Sequence, residues 1–408
     1  MKIGLLAYHS ACNFGATLQL LSTYGYLTKH GHHPIVINWT PQNLEDYYRQ
    51  RVPASQFQEQ IATRQRLWEE TRMCRNSKDV AQAIEENGIE AVIIGSDAVA
   101  QHHPLLERIV FPCRTIIGII PNTEDREYPN PFWATWEDFL SRNIPVVAMS
   151  VSCQDSRYRL IPHNLRQQMA ARVVSYKYLS VRDTWTRQMM EHLTSGRLKP
   201  EVTPDPVFAL NDNAGEWIPG KDEIIRKYNL PEKYILLTFP DGSATVPQSW
   251  IDKFQELALK DGKECVLLPF SHADSFGTLP HTVRLPLSPT DWYALIKHAS
   301  AYVGYNMHPI VVALHNQVPF FSFDTYGTKR FNGLLSDDRS SKIRHLLSEA
   351  GFSDYRTSCL SRHPQLPTPS AVYDLLTRFD TAKARLFAEA YGEKYRFMMQ
   401  SILKSLHA

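Results

Sequence analysis

The sequence lacks an excess of charge of either sign. Its 408 residues include 44 Lys and Arg and 42 Asp and Glu, which leaves a formal net charge of +2 at pH 7. Proteins that bind the phosphates of nucleic acids usually carry a clear basic excess. We therefore expect no nucleic-acid partner.

Cysteine is scarce, and long apolar runs are absent. None of the six cysteines forms a C-x-x-C pair, so neither a zinc knuckle nor a disulfide framework is predicted, and reduced thiols of a cytosolic enzyme are expected. No apolar run approaches the length of about 18 residues that a membrane-spanning helix needs. Lys2 leads directly into a strand-like segment without the features of a signal peptide. These absences predict a soluble, cytoplasmic protein that is at most peripheral at the inner face of the membrane.

Motifs for cofactors and metals are also missing. The sequence has no G-x-G-x-x-G dinucleotide turn, no Walker loop, and no H-x-x-E-H or D-x-D arrangement that would indicate a metal site. We expect no metal and no cofactor. What is present is an ordinary globular composition, with 43% hydrophobic residues and enough length for two domains with full cores.

The pattern of apolar segments predicts an α/β fold. Residues 3–8 form an apolar strand, residues 16–30 have helical periodicity, and residues 34–39 form a second strand. A strand–helix–strand opening of this kind implies a parallel sheet. The same alternation restarts in the second half of the chain, so the sequence predicts two doubly wound, Rossmann-like domains that face each other across a cleft.

The domain boundaries follow from this alternation. Residues 211–220 are a predicted linker, because they contain two asparagines, two glycines and a proline. They separate an N-terminal α/β domain, residues 1–210, from a C-terminal α/β domain, residues 221–370. Residues 371–408 form a helical tail with one apolar stripe. Packing of this tail onto the protein is favoured over a membrane-surface helix, because acidic residues dilute its basic face.

One strand–turn–helix segment draws attention to a histidine. Residues 301–304 are a predicted apolar strand, residues 310–314 a predicted helix, and His308 lies in the turn between them. Turns at the carboxyl edge of an α/β sheet bind ligands, because the N–H groups of helix N-termini face an open crevice there. His308 is therefore a candidate site residue by position. A capping or core histidine is the alternative.

Five short segments together resemble the polysaccharide pyruvyl transferase family. They occur in the family's order and spacing, and they occupy residues 12–19, 93–97, 180–183, 204–208 and 304–314. The resemblance implies a glycosyltransferase-B-like arrangement of the two predicted domains. The chain departs from the family at one place, because members usually carry an arginine two residues before the histidine, where this chain has Asn306.

The resemblance also implies a reaction. Its donor would be phosphoenolpyruvate, its acceptor a sugar or lipid-linked oligosaccharide, and its product a cyclic pyruvate ketal made during assembly of a surface polysaccharide such as an exopolysaccharide or capsule. The donor carries a carboxylate and a phosphate, so its site needs several cations and N–H donors in one place. Transfer from an enol phosphate requires neither a metal nor a cofactor.

Residues at the matching positions are the candidates for these roles. His308 would act first as a general acid and then as a base, since histidine titrates near neutral pH. Asp97 would orient the imidazole or the sugar. Arg182 matches the family's arginine, with an ion pair to Asp183 or Asp205 as the alternative. The other expected substrate-binding residues are Asn13, Gly15, Asn306, Met307, Lys329, Arg330 and Lys342.

Some of these residues have an equally good structural explanation. Asn13 is a good N-cap, whereas Gly15 would let the backbone approach a ligand closely. Lys329 or Lys342 would replace the cation missing at Asn306, although runs of charge most often form solvated faces. Asp205 is best explained as a turn former, because it precedes a proline.

Two other functions remain open from the sequence. A glycosyltransferase of the same two-domain type would hold the diphosphate of a nucleotide sugar in a similar basic pocket. A non-catalytic relative that binds a glycan is the third interpretation, and the asparagine at position 306 in place of an arginine keeps it open. Release of phosphate, of a nucleoside diphosphate, or of neither would distinguish the three.

Overall fold

A computed structural model describes residues 1–113, 116–242, 246–330, 335–361 and 363–407, with side chains for all of these except residues 110–113, 116, 117, 330 and 335. In the first half of the chain the helices and strands are β1 (Lys2–Leu6), α1 (Phe14–Lys29), β2 (His33–Val36), α2 (Gln42–Arg51), α3 (Ala54–Leu67), α4 (Ser77–Glu86), β3 (Ala91–Asp97), α5 (Leu105–Arg108), β4 (Ile109–Cys113), β5 (Ile116–Ile119), β6 (Val146–Val151), α6 (His163–Ser175), β7 (Tyr178–Val181), α7 (Thr184–Leu193), β8 (Glu201–Val202) and α8 (Leu210–Ala214).

The second half repeats the alternation. Its elements are α9 (Lys221–Tyr228), β9 (Tyr234–Thr238), α10 (Gln248–Lys260), β10 (Glu264–Leu267), β11 (His281–Thr282), α11 (Pro289–Lys297), β12 (Ala301–Gly304), α12 (Met307–His315), β13 (Phe320–Asp324), β14 (Thr328–Arg330), β15 (Leu335–Asp337), α13 (Lys342–Ala350), β16 (Arg356–Ser358), α14 (Pro369–Thr377) and α15 (Thr381–Leu406).

Two six-stranded sheets organise these elements, as predicted. The first has the strand order β2-β1-β3-β6-β7-β8 and the second the order β11-β10-β9-β12-β13-β16. All neighbouring strands within both sheets are parallel. Their central strands are almost wholly apolar, since parallel sheets are covered by helices on both faces. The predicted α/β fold with two doubly wound sheets is confirmed.

The strand orders place a switch point in each sheet. In the first sheet the direction of winding reverses between β1 and β3, and in the second it reverses between β9 and β12. Ligands of open α/β sheets bind at the carboxyl ends of strands beside such switch points. Helix α1 follows β1, and helix α12 follows β12, so both helices begin where this rule expects a ligand.

Helix α12 begins earlier than the sequence predicts. It starts at Met307 rather than Ile310, so His308 lies in the first helical turn and not in the preceding loop. Pro309 is compatible with this start, because the N–H groups of the first helical turn have no partner within the helix. The N-terminal N–H groups of α12 therefore lie beside His308.

The C-terminal helix packs back onto the protein. Tyr395, Met398 and Ile402 of α15 are buried, and the Met398 sulfur accepts a hydrogen bond from Ser150 Oγ at 3.2 Å. This contact joins the tail to the end of β6, so packing onto the protein, which the sequence favoured, is confirmed. None of the helices in the described part of the chain is long and apolar enough to cross a membrane.

The residues predicted as a linker are partly helical. Helix α8 ends at Ala214 and is followed by a short 3-10 helix, Gly215–Trp217. The Asn213 side chain donates a hydrogen bond to Ser22 Oγ of α1 at 3.0 Å. This segment therefore packs against the first sheet's helix instead of forming an open loop.

Candidate functional site

The N-termini of α1 and α12 meet at a cavity between the two sheets. The cavity has a volume of about 260 Å³, and its walls include Asn13 and Gly15 from α1 and Asn306, Met307 and His308 from α12. Helix N-termini carry partial positive charge and unpaired N–H groups. The cavity is therefore suited to an anion, and four of the residues predicted to bind substrate line it together with His308.

Gly15 packs directly against the imidazole of His308. A Cβ atom built on Gly15 would lie 2.0 Å from His308 Cγ and 2.1 Å from Nδ1, far closer than atoms can approach. Only glycine leaves room for the ring at this position. The contact fixes the histidine of the second half of the chain against the first helix of the first half.

A buried charged cluster lies behind the histidine. Arg182 donates to Asp205 Oδ2 at 2.9 Å and to Asp97 Oδ1 at 3.1 Å, and only 3% of its side chain is exposed. His308 Nε2 lies 3.7 Å from the same Asp205 oxygen, which also accepts a 2.5 Å hydrogen bond from Gln19. These contacts bring together Asp97, Arg182 and His308, which the sequence placed in separate motifs.

The cluster determines which of its groups are charged. Burial favours a raised pKa for Asp97, but the positive charges of Arg182 and Lys342 outweigh it and lower that pKa to about 2. Burial lowers the pKa of His308 below its ordinary value, against the opposing effect of Asp205 and Asp97. The aspartate is therefore ionised, and the histidine is neutral at neutral pH. Among the described residues, none forms a hydrogen bond with His308 Nε2.

Lys342 is a buried cation at the same site. The residue is 6% exposed, and burial followed by the charge of Arg182 lowers its pKa, with Asp97 acting in the opposite direction. Its ammonium nitrogen lies 5.6 Å from the centre of the Tyr326 ring, which lines the cavity. Within the described part of the chain no carboxylate pairs with this ammonium group. Burial of an unpaired charge is costly, so an anionic ligand would stabilise it.

A polar network holds Lys342 in place. Asp324, at the end of β13, accepts hydrogen bonds from Arg356 Nε at 2.6 Å and from the Ser341 hydroxyl. Ser341 also caps α13, because its oxygen accepts the Arg344 N–H at 3.0 Å. Lys342 follows this cap as the first residue of the helix, so the network sets where its side chain enters the site.

Other predicted binding residues lie at different depths. Lys329 is exposed on the β14–β15 hairpin, and its carbonyl oxygen accepts a hydrogen bond from Arg157 at 2.8 Å. The side chain of Arg330 lies outside the described residues. Asn13 caps α1 by accepting from the Gly15 N–H at 3.0 Å. Asn306 occupies the N-cap position of α12 without forming a capping hydrogen bond, so its amide is not used by the helix.

The structure adds residues that the sequence did not indicate. Arg51 and Arg126 line the cavity beside Tyr326, but they come from α2 and from the connection between β3 and β6, where no motif marks them. Asp205 combines two roles. One of its oxygens accepts the Val207 N–H at 3.0 Å, as a turn former should, while the other carries the contacts with Arg182 and His308.

The described residues contain no group of three or more His, Cys, Asp or Glu arranged to hold a metal ion. Within the described residues, Arg182 and Arg126 form ion pairs with aspartates, whereas Lys342 and Arg51 form none. The site is therefore an anion-binding cavity with one histidine and one ionised aspartate close to it.

Comparisons with known proteins agree with the fold. A solved glycosyltransferase from Siraitia grosvenorii in complex with UDP is similar in fold, with 9% identity, all of both chains covered and a TM-score of 0.52. A UDP-N-acetylglucosamine 2-epimerase has 10% identity, with 98% of this chain and 95% of that chain covered, and a TM-score of 0.50. The predicted glycosyltransferase-B-like arrangement is thereby confirmed. No curated protein sequence matches the chain. The sequence model of the family described as polysaccharide pyruvyl transferase matches residues 13–326, which is most of the chain, and the protein belongs to that family.

Proposed function

We propose that the protein transfers the enolpyruvyl group of phosphoenolpyruvate to two hydroxyls of one sugar and forms a pyruvate ketal on a lipid-linked saccharide. Membership of the family implies a transferase that acts on polysaccharides. Lys342 supports the finer proposal, because it is buried close to His308 and pairs with no carboxylate among the described residues. A small dianion or trianion would complete this arrangement.

The donor's two anionic groups have separate partners in this proposal. The phosphate binds at the two helix N-termini, where N–H groups and the helix dipoles favour negative charge. The Lys342 ammonium group lies over the Tyr326 ring and supplies the cation that related proteins carry at the position of Asn306. The amide of Asn306 donates a hydrogen bond to the carboxylate but contributes no charge. Arg51 and Arg126, at the wall of the cavity, are further cations within reach.

His308 moves the protons. Its pKa is lowered in the free protein, mainly by burial, but a bound polyanion favours the charged imidazolium and raises that pKa again. Donor binding therefore favours protonation of the His308 imidazole. The imidazolium protonates the methylene carbon of the donor, and the neutral ring that remains accepts the proton of the first sugar hydroxyl as it attacks the oxocarbenium centre.

The remaining steps release phosphate. The bond between the central carbon and the phosphate oxygen breaks, and the second hydroxyl attacks the same carbon. One hydroxyl proton replaces the proton given to the methylene carbon, and the other leaves with the phosphate. Both ketal oxygens come from the sugar, so the reaction needs neither an oxidant nor a metal. Asp97 and Asp205 stabilise the transient imidazolium through their negative charges.

The test compares two donors with one acceptor preparation. The protein is incubated with a lipid-linked saccharide and either phosphoenolpyruvate or a panel of nucleotide sugars, and the released phosphate and nucleoside diphosphate are measured. The proposal expects acceptor-dependent release of phosphate from phosphoenolpyruvate alone. Release of a nucleoside diphosphate would establish a glycosyltransferase instead, and release of neither would support a non-catalytic relative.

A further inference from the structure

Four exposed aliphatic side chains lie together at the base of the β4–β5 hairpin. Leu105 and Leu106 are 53% and 66% exposed, and Ile119 and Ile120 are 56% and 51% exposed. The strands hold them side by side, because Ile119 pairs with Ile109 and the Ile120 N–H donates to the Arg108 carbonyl at 2.9 Å. Single exposed apolar residues are normal, but a cluster of this kind marks an interaction surface. We call these four residues the aliphatic patch.

The aliphatic patch lies beside the mouth of the cavity. Arg108 belongs to the same short helix, α5, as Leu105 and Leu106, and it forms a 3.0 Å ion pair with Glu127. The residue before Glu127 is Arg126, which lines the cavity. The base of the hairpin is thus one ion pair and one peptide bond away from the wall of the proposed site.

Cations from both halves of the chain border the patch. Glu107 accepts the Arg157 N–H at 3.2 Å, and the Arg157 guanidinium donates to the Lys329 carbonyl at 2.8 Å. This chain of contacts connects the patch to the exposed side chain of Lys329. Arg159, two residues after Arg157, is exposed as well. The segments that carry the apolar and the basic side chains are therefore connected by hydrogen bonds.

Several carboxylates near this surface are buried or already paired, and Glu127 is paired with Arg108. Glu107 is only 12% exposed and faces His103 at 3.2 Å in addition to Arg157. Asp155 interacts electrostatically with the buried Lys342. Asp337 is paired with Arg339, whose side chain is 69% exposed. Within the described residues, Arg159 and Lys329 have no carboxylate partner.

We propose that the aliphatic patch and the adjacent cations dock the protein onto an anionic phospholipid surface, with the cavity mouth at the membrane. Aliphatic side chains insert at the boundary between headgroups and acyl chains, and nearby Lys and Arg side chains bind anionic headgroups. An apolar cluster rimmed by unpaired cations has this complementarity, whereas a neutral partner would leave the cations unused. Docking would bring a lipid-linked acceptor to the cavity. That last consequence rests on the proposed function, but the docking itself does not.

Vesicle flotation tests the docking directly. The purified protein is mixed with vesicles of phosphatidylcholine alone or of phosphatidylcholine with a third of phosphatidylglycerol, and the floated fraction is measured at low and high salt. The protein should float with the anionic vesicles, and binding should fall as salt rises because the headgroup contacts are screened. Binding to neither vesicle type would overturn the proposal.

Three variants assign the binding to this surface. Leu106→Glu combined with Ile119→Glu should reduce partitioning at least roughly tenfold, since two aliphatic side chains are replaced by carboxylates. Arg159→Glu should reduce it at least about fivefold on the anionic vesicles, because each cation near such a surface contributes about fivefold and the new carboxylate is repelled by the headgroups. Leu386→Glu on α15 is the matched control, as Leu386 is 63% exposed but lies outside the patch. Its binding should be unchanged.

Two results would contradict the proposal. Equal losses in the Leu386 control would show that binding is unspecific. The second result combines two observations. If the parent protein binds no vesicles, and sedimentation shows that it self-associates while the Leu106 and Ile119 double variant does not, the patch forms contacts between copies of the chain. Phosphate release with a detergent-solubilised acceptor is measured alongside. It should be unchanged in the double variant, so failure of docking and failure of the proposed chemistry are distinguishable.

Discussion

Replacing Gly15 by alanine is the most informative perturbation of the site. The new Cβ would lie 2.0 Å from His308 Cγ, 2.1 Å from Nδ1 and 2.5 Å from Cδ2. Ordinary van der Waals contact begins at about 3.4 Å, so the ring must retreat by more than 1 Å from helix α1. The variant thus moves the imidazole without changing its chemistry.

The expected effect on the rate follows from that displacement. Misplacing a catalytic group by about 1 Å can lower a rate about a hundredfold. The added methyl also strains the packing, at a cost of about 1–3 kcal/mol in the free energy of unfolding. Gly15→Ala should therefore lower kcat for phosphate release from phosphoenolpyruvate about a hundredfold, while thermal unfolding still occurs in one cooperative transition.

Gly25 provides the matched control for this experiment. It lies in the same helix, and a Cβ there would come within 2.2 Å of the Asn213 carbonyl oxygen, so Gly25→Ala overpacks α1 equally but away from the cavity. It should lower the melting temperature as much or more and leave kcat unchanged. A fully active Gly15→Ala protein would refute the placement of His308 at the reacting atoms.

Three further predictions concern the charges of the site. His308→Ala should lower kcat about a hundredfold or more, the usual size for general acid–base catalysis, without changing the fold as measured by circular dichroism. Lys342→Met should raise the KM for phosphoenolpyruvate, measured by steady-state kinetics, by roughly ten- to a hundredfold. Lys329→Met, at an exposed position, should change this KM little. If Lys329 holds the donor instead, the larger rise in KM would occur in Lys329→Met. Burial favours a raised pKa for Asp97, but Arg182 and Lys342 lower its folded-state pKa from 3.8 to about 2. The ionised carboxylate therefore stabilises the folded protein by about 2 kcal/mol above pH 4, and this stabilisation is lost as pH falls towards 2. Urea unfolding at a series of pH values should show this loss in the parent protein, and a parent curve without it would contradict the cluster's charges.

The fold was predictable because its information is local. Apolar strands alternate with helical periodicity, and a short strand followed by a helix places His308 at a sheet edge. Helix α12 nevertheless begins at Met307 and not at Ile310. Pro309 interrupts the apolar pattern in the sequence, but a proline is tolerated in the first turn of a helix. Sequence periodicity locates elements better than it locates their ends.

The partners of the site residues were not predictable, because they depend on contacts between distant segments. Lys342 and Lys329 both stand near the ends of elements and look equivalent in sequence, but one is 6% exposed and the other lies at the surface. Asp205 combines a turn with an ion pair, and only the first role has a sequence signature. Arg126 reaches the cavity from a connection that carries no motif.

The most direct measurement follows the pyruvyl group itself. A lipid-linked saccharide is incubated with the protein and isotopically labelled phosphoenolpyruvate, and the saccharide is analysed by mass spectrometry. The saccharide should gain the mass of labelled pyruvate less one water, in equal amount to the phosphate released, and His308→Ala should lower the rate of both about a hundredfold or more. A saccharide that stays unchanged while phosphate is released would contradict the proposed ketal formation.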